Sequence, residues 1–314
     1  VIDNLRTSDQ LGIVGLDLTV GERIMKSDLL MTNVSERDFF GMDEVQPELD
    51  GSYIFHPDPF GRNIYYFTTS EAFSLGSKLE MVVDSKSTAG RLGCLSQHIG
   101  RSNLTNQLIL AVQPFSFPIK VFPGESTLAQ TIIRYADTPY LTREEILGGE
   151  FVKVDTEFPK EFMVNSQGMI MRFAPGGVYE AKPYDRDSMP PIDIRSREID
   201  SDPYFKPLEW DAGDNLIAEA NRLYLIGSQG VLEMGGAAGY LSRSDAHAGG
   251  GSSWCHLAGI FQPYWTGEIT MEYFSRDKTR LCPGDVAGFV KFDRIEGKMD
   301  EHPTVSGYRS QKGA

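Results

Sequence analysis

Cysteine is scarce in this chain. There are three, Cys94, Cys255 and Cys282, spread far apart among 314 residues. That excludes a disulfide-stapled scaffold and suits a reducing compartment. Histidine is scarce too, with His56, His98, His247, His256 and His302. None of these residues falls into a C-x-x-C, H-x-x-x-H or H-x-E spacing. Cys255 and His256 are adjacent, and neighbours on an extended chain point opposite ways. No zinc site is therefore expected, and the zinc-dependent nucleobase deaminases, which need a C-x-x-C pair, are excluded. Positive charge is also in short supply: 30 Lys and Arg face 44 Asp and Glu, for a net charge of −14. A nucleic-acid polymer, whose binding rests on a basic surface, is an unfit partner. A small phosphorylated ligand remains open, since it needs only a few cations and backbone N–H groups. No apolar run approaches the ~20 residues of a membrane span. The chain starts at Val1 with no signal-peptide pattern, so the expected location is the cytoplasm, with no membrane partner.

What the chain does have is glycine, 32 residues, with 17 prolines. Between these lie short apolar or alternating runs: NIYYFTT, KLEMVVD, QLILAVQ, IKVFPG and TIIRYAD, then RLYLIGS, EITMEYF and GFVKFDRI. Period-two alternation bounded by turn residues reads as strands. Helix signals are few. YLTREEIL carries a capping box, Thr142 with Glu145, and DNLIAEANRL (214–223) reads as a helix or as a loop entering a strand.

The chain also repeats itself, in the same order. GLDLTVG (15–21) pairs with PIDIRSR (191–197), and VDSKSTAGRLG (83–93) with YLSRSDAHAGG (240–250). QLILAVQPFSFPIKVFPGES (107–126) pairs with GEITMEYFSRDKTRLCPGDV (267–286). Two copies of this size predict a duplicated domain: a mainly β chain of two tandem, jelly-roll-like distorted β-barrels with few short helices. The expected division is 1–150 and 151–314, with the proline-rich AKPYDRDSMPP (181–191) leading into the second copy.

One strand poses a chemical question. In YWTGEITMEYF, Ile269, Met271 and Tyr273 share one face, and Glu268, Thr270 and Glu272 the other. Glu268 suits a solvated edge. Glu272 lies deeper in a strand that reads as half-buried.

These residues resemble the dCTP deaminase/dUTPase superfamily, and specifically a tandem, double-length bacterial dCTP deaminase. Its first motif, Asp after an apolar residue, resembles Leu16-Asp17-Leu18 and Ile192-Asp193-Ile194. Its second, G-R-S-S-x-A-R-L-G, resembles SKSTAGRLG, which supplies Lys86, Ser87 and Arg91. In the second copy SRSDAHAGGG supplies Arg243 and Ser244 and lacks the second arginine. The deaminase third motif, P-G-[WF]-x-G-x-I-x-L-E-F, resembles PYWTGEITMEYF and puts Glu272 on the deaminase glutamate. In the first copy Ala111 stands there. The dUTPases have an Asp just before that proline, where this chain has Gln262. The fourth motif resembles FPGESTLAQT, with Gln130; in the second copy Phe289 replaces the glutamine. The C-terminal SGYRSQKGA resembles the closing tail, with Tyr308 and Gln311. The resemblance also sets Ala258, in CHLAG, on the segment whose main chain faces the base.

The resemblance implies a composite site, inter-domain or inter-subunit. The phosphate cradle of Ser87, Arg91 and Gln130 would come from one copy, and Glu272 and the tail from the other. It implies an oligomer that converts dCTP to dUTP and ammonia, with Mg²⁺ arriving on the triphosphate and dTTP as an inhibitor. Hydroxyls, backbone N–H groups and a guanidinium in one turn suit a polyphosphate. A single carboxylate can take a proton from water and deliver it to the base and the leaving amine. Asp17 remains open between fixing a turn and acting at the sugar. Two alternatives stand beside deamination: a dUTP pyrophosphatase or bifunctional enzyme, against which Gln262 counts, and a non-catalytic nucleotide-binding regulator, against which Glu272 counts.

Overall fold

In a computed structural model, the described residues are 2–3, 15–32, 35, 39, 41–99, 105–155, 159, 162–166, 168–196, 198–235, 237–241, 253–254, 257–261 and 263–294. The chain is mainly β and divides into two compact units. The first holds Gly15–Ala136 and, after an excursion, Lys182–Tyr204. The second holds Asp137–Ala181 and the described residues from Phe205 onward.

The first unit contains β1 (Ile2–Asp3), β2 (Gly15–Ser27), β3 (Asp43–Glu44), β4 (Tyr53–Phe55), β5 (Ile64–Ser74) and β6 (Leu79–Ser85). It continues with α1 (Ser87–Arg91), β7 (Cys94–His98), β8 (Thr105–Pro114), β9 (Ile119–Val121) and β10 (Thr127–Tyr135). The next elements, α2 (Arg143–Gly148), β11 (Val152–Asp155), β12 (Val164–Asn165) and β13 (Gly168–Ala181), belong to the second unit. The short β14 (Ile192–Asp193) returns to the first. The second unit then resumes with β15 (Phe205–Leu208), β16 (Leu216–Ala218), β17 (Arg222–Ser228), β18 (Val231–Met234), β19 (Ala237–Leu241) and β20 (Ser253–Trp254). It closes with β21 (Ile260–Phe261), β22 (Thr266–Gly267), β23 (Thr270–Ser275), β24 (Thr279–Leu281) and β25 (Val286–Arg294).

The alternating runs form the expected strands, because burying one face of each and pairing its edges satisfies both side chains and backbone. Around α2, Thr142 accepts from the Glu145 amide while the Glu145 carboxylate accepts from the Thr142 amide, the expected capping box. The segment 214–223 proves to be loop and strand, with Leu216–Ala218 paired to β24. Among the described residues no helix is long and apolar enough to cross a membrane.

Both units share one strand order. The first runs β6-β10-β2-β5-β8-β7, and the second β19-β25-β13-β17-β23-β20, with β21 added beyond β19. The likeness extends to single bonds. The Gly124 amide donates to Val20 O at 2.6 Å, and the Gly284 amide to Phe173 O at 2.8 Å. Both glycines have positive φ, 72° and 87°, as the proline-glycine turn requires. The Leu108 amide donates to Thr69 Oγ1 at 3.1 Å, and the Ile269 amide to Ser228 Oγ at 2.9 Å. In each unit the matching strand skips one residue against its neighbour at the same place, Leu128 on β10 and Ala287 on β25.

These registers correct one sequence pairing. The counterpart of Leu16-Asp17-Leu18 is Met169-Ile170-Met171 on β13, not Ile192-Asp193-Ile194: Asp17 lies opposite Gln130, and Ile170 opposite Phe289. Ile192 and Asp193 instead pair in parallel with Ile119 and Lys120, inside the first unit. A three-residue apolar-Asp-apolar string suits a central strand and a two-residue edge strand equally well. Only its partners tell them apart.

Candidate active site

In the first unit, β6 ends on a tightly tied turn. The Ser85 amide donates to Asp84 Oδ1 at 2.7 Å, the Ser96 amide to Ser85 Oγ at 2.7 Å, and the Lys86 amide to Leu128 O at 2.9 Å. α1 follows at once, so STAGR of that sequence turn is one short helix, with Lys86 as its N-cap. Ser87 and Arg91 are four apart and share a helix face; both are half-buried. Behind them Asp84, Gln130 and Asp17 form one row across β6, β10 and β2. Gln130 Nε2 reaches Ser85 O at 3.5 Å, the outer limit of a hydrogen bond. Lys86 Nζ lies 2.5 Å from Asp17 Oδ2 and donates to Thr127 Oγ1 at 3.0 Å. Five of the expected residues thus collect at one end of β6, β10 and β2. Thr127 and Asp84 join them without having been singled out from the sequence. Strand alternation would have shown Asp84 on the row, whereas Thr127, three residues before Gln130, reaches that face only because β10 skips Leu128; neither type announces chemistry by itself.

In the second unit, Glu272 stands in the middle of β23, opposite Leu225. Met271 and Tyr273 point into the hydrophobic core with Phe173, Tyr224 and Ile226. Glu272 points the other way, yet it is 1% exposed. The sequence suggested a half-buried strand, but all of β23 is buried. The reason is that β17 and β20 flank it and Leu257 and Ala258 are themselves buried, with the Leu257 amide donating to Glu272 Oε2 at 3.3 Å. Ala258 therefore adjoins the residue that meets the carboxylate. Glu268 is exposed and precedes the strand.

The same registers locate the counterpart of Glu272 in the first unit. Leu108 matches Ile269 through the Thr69 and Ser228 hydroxyl bonds, so Ala111 falls on Glu272. Ala111 is wholly buried in an apolar cluster with Met25, Phe39, Ile64, Tyr66, Ile99 and Ile109. The polar row has the inverse fate: Asp17 and Gln130 correspond to Ile170 and Phe289. One unit keeps the polar turn and the other the acid.

Another buried carboxylate of the second unit, Glu180, is tied to Lys206 Nζ at 2.5 Å and to the Tyr224 hydroxyl at 3.2 Å. Burial pushes the Tyr224 phenol up to about 12, so it remains a donor. This cluster reads as a structural fastening. The buried thiol of Cys94 is likewise pushed up to about 12 by burial, which makes it a poor nucleophile. Among the described residues no group of three His, Cys, Asp or Glu could hold a metal ion. Arg243, Ser244, Tyr308 and Gln311, together with His247, Cys255, His256 and Gln262, lie outside the described residues.

The fold defined by these sheets is the dUTPase-like β fold. The chain is similar to the crystal structure of 2'-deoxycytidine 5'-triphosphate deaminase from Agrobacterium tumefaciens, with a TM-score of 0.79, 18% identity, and coverage of 96% of this chain and 94% of that one. No protein-family model matches the chain, and no curated protein matches it.

Proposed function

We propose that this protein deaminates dCTP to dUTP and ammonia. The observation that carries the reading is Glu272: a carboxylate at 1% exposure in the middle of β23, beside the Leu257 amide, in a fold similar to that of a dCTP deaminase. Burying an acid costs free energy that its surroundings must offset. At a reacting base it can work as acid and base in turn.

The protons balance through this one group. Water oxygen bonds to C4 of the cytosine as Glu272 takes one of its protons. Glu272 passes that proton to N3, where it stays in the uracil product. It then takes the second proton from the new C4 hydroxyl and delivers it to the amine. The C4–N bond breaks, ammonia leaves, and the C4 carbonyl forms. Mg²⁺ enters as part of the substrate, on the triphosphate.

The polar turn of the first unit is assigned the polyphosphate, with Ser87, Arg91 and Gln130 as its ligands. The division follows from a tandem duplication in which each copy kept one share of the work. Ammonia release from dCTP tests the reaction; pyrophosphate release from dUTP in its place would sink it. Arg91→Ala is expected to weaken dCTP binding about tenfold or more, the weight of a charge-assisted hydrogen bond, and to leave deoxycytidine binding unchanged. Titration calorimetry with both ligands reads this out, and equal losses for the two would remove Arg91 from the phosphate.

A further inference from the structure

Lys86 matches the position where the family motif has an arginine, yet its ammonium is already engaged. It forms an ion pair with Asp17 at 2.5 Å and donates to Thr127 Oγ1 at 3.0 Å. The pair is partly shielded, with 29% of the Lys86 side chain and 23% of the Asp17 side chain exposed. Asp17 stands on β2 and Thr127 on β10, while the Lys86 backbone begins α1. Its amide donates to Leu128 O on β10, and its carbonyl accepts from the Gly90 amide within α1. One residue thus ties the short helix to two strands, by main chain and by side chain.

The second unit supplies an independent observation. Both acceptors of the lysine have apolar counterparts there: Ile170 stands at the position of Asp17 and Val286 at that of Thr127. Gln130 is replaced by Phe289 in the same register. The acceptors and the glutamine disappear together, as parts of one device would.

We infer that Lys86 is a positioning residue: it acts through Asp17 and Thr127 to hold α1, so that Ser87 and Arg91 meet the ligand. It is not itself a phosphate ligand. Its charge is neutralised by Asp17, and the polyphosphate role stays with Arg91 as proposed above. The inference rests on the phosphate role proposed above for this turn. It assigns the first basic residue of the turn to the protein's own strands in place of a direct grip on phosphate.

A double-mutant cycle separates the two roles. Asp17→Asn, Lys86→Met, their combination and Lys86→Arg are compared by calorimetric titration with dCTP and with deoxycytidine. If Lys86 acts through Asp17, each single change weakens dCTP binding by about fivefold or more, and the double change is no worse than either single one. Deoxycytidine affinity stays level throughout. Lys86→Arg, which keeps the charge and the reach, recovers most of what Lys86→Met loses. The inference is overturned if Asp17→Asn leaves dCTP affinity intact or tightens it while Lys86→Met weakens it, since a released lysine would then be gripping phosphate. It is equally overturned if the two losses multiply in the double variant.

Should the unmodified protein bind dCTP no better than deoxycytidine, the proposed function fails, and the lock is judged without nucleotide. Hydrogen exchange at the Gly90 and Leu92 amides then decides. Equal acceleration in both single variants, with none added in the double, upholds the lock; unchanged exchange in all of them overturns it.

Discussion

Glu272→Gln is expected to lower ammonia release from dCTP by roughly 10²–10⁴-fold, the range for removing a general acid–base, while dCTP affinity stays within about threefold. The amide keeps an oxygen that can still accept from the Leu257 amide, so β23 retains its cover. What it loses is the ability to carry a proton. In the proposed reaction that group moves both protons of the attacking water, so no step is spared. Single-turnover assays of ammonia release, run beside binding titrations, check the split. Undiminished turnover would falsify the assignment of Glu272, whereas lost binding with lost structure would mark the carboxylate as a packing residue.

Ala111→Glu places the same carboxylate at the matching position of the first unit, and the expected result is damage rather than a second site. Ala111 is closed in by Met25, Phe39, Ile64, Tyr66, Ile99 and Ile109. The chain after β2 is fastened over that face, because the Tyr66 hydroxyl donates to Leu29 O at 2.5 Å and accepts from the Met31 amide at 3.1 Å. A carboxylate there has to be buried among hydrocarbon or push the cover off. An uncompensated buried charge costs about 3–5 kcal/mol, and overpacking adds to it. Calorimetry should show the transition lowered by about 10 °C or more, with no ammonia release gained. A variant with an unchanged transition and a second bound nucleotide per chain would refute the idea that this face has become core.

Much of the fold was legible from alternation. NIYYFTT, TIIRYAD and GFVKFDRI became β5, β10 and β25, since period-two burial and backbone pairing demand the same pattern. The Thr142–Glu145 box was legible because capping is local. The segment 214–223 was ambiguous because its periodicity suited either element, and pairing with β24 decided it. The string PIDIRSR misled for a similar reason: its residues match a motif, but Ile192 and Asp193 found their partners on β9.

The candidate site divides in the same way. By itself the sequence determined which residues could do chemistry: an acid at 272 with alanine at 111, a Ser87–Arg91 turn, and the loss of glutamine at 289. Residue type and spacing carry that much, because chemistry depends on functional groups. Only the tertiary structure decided that the strand of Glu272 is buried on both faces, that Ala111 lies in a filled apolar cluster, and that Lys86 is held by Asp17. Burial and pairing depend on strands distant in the chain, and a linear pattern does not say which strand will lie beside which.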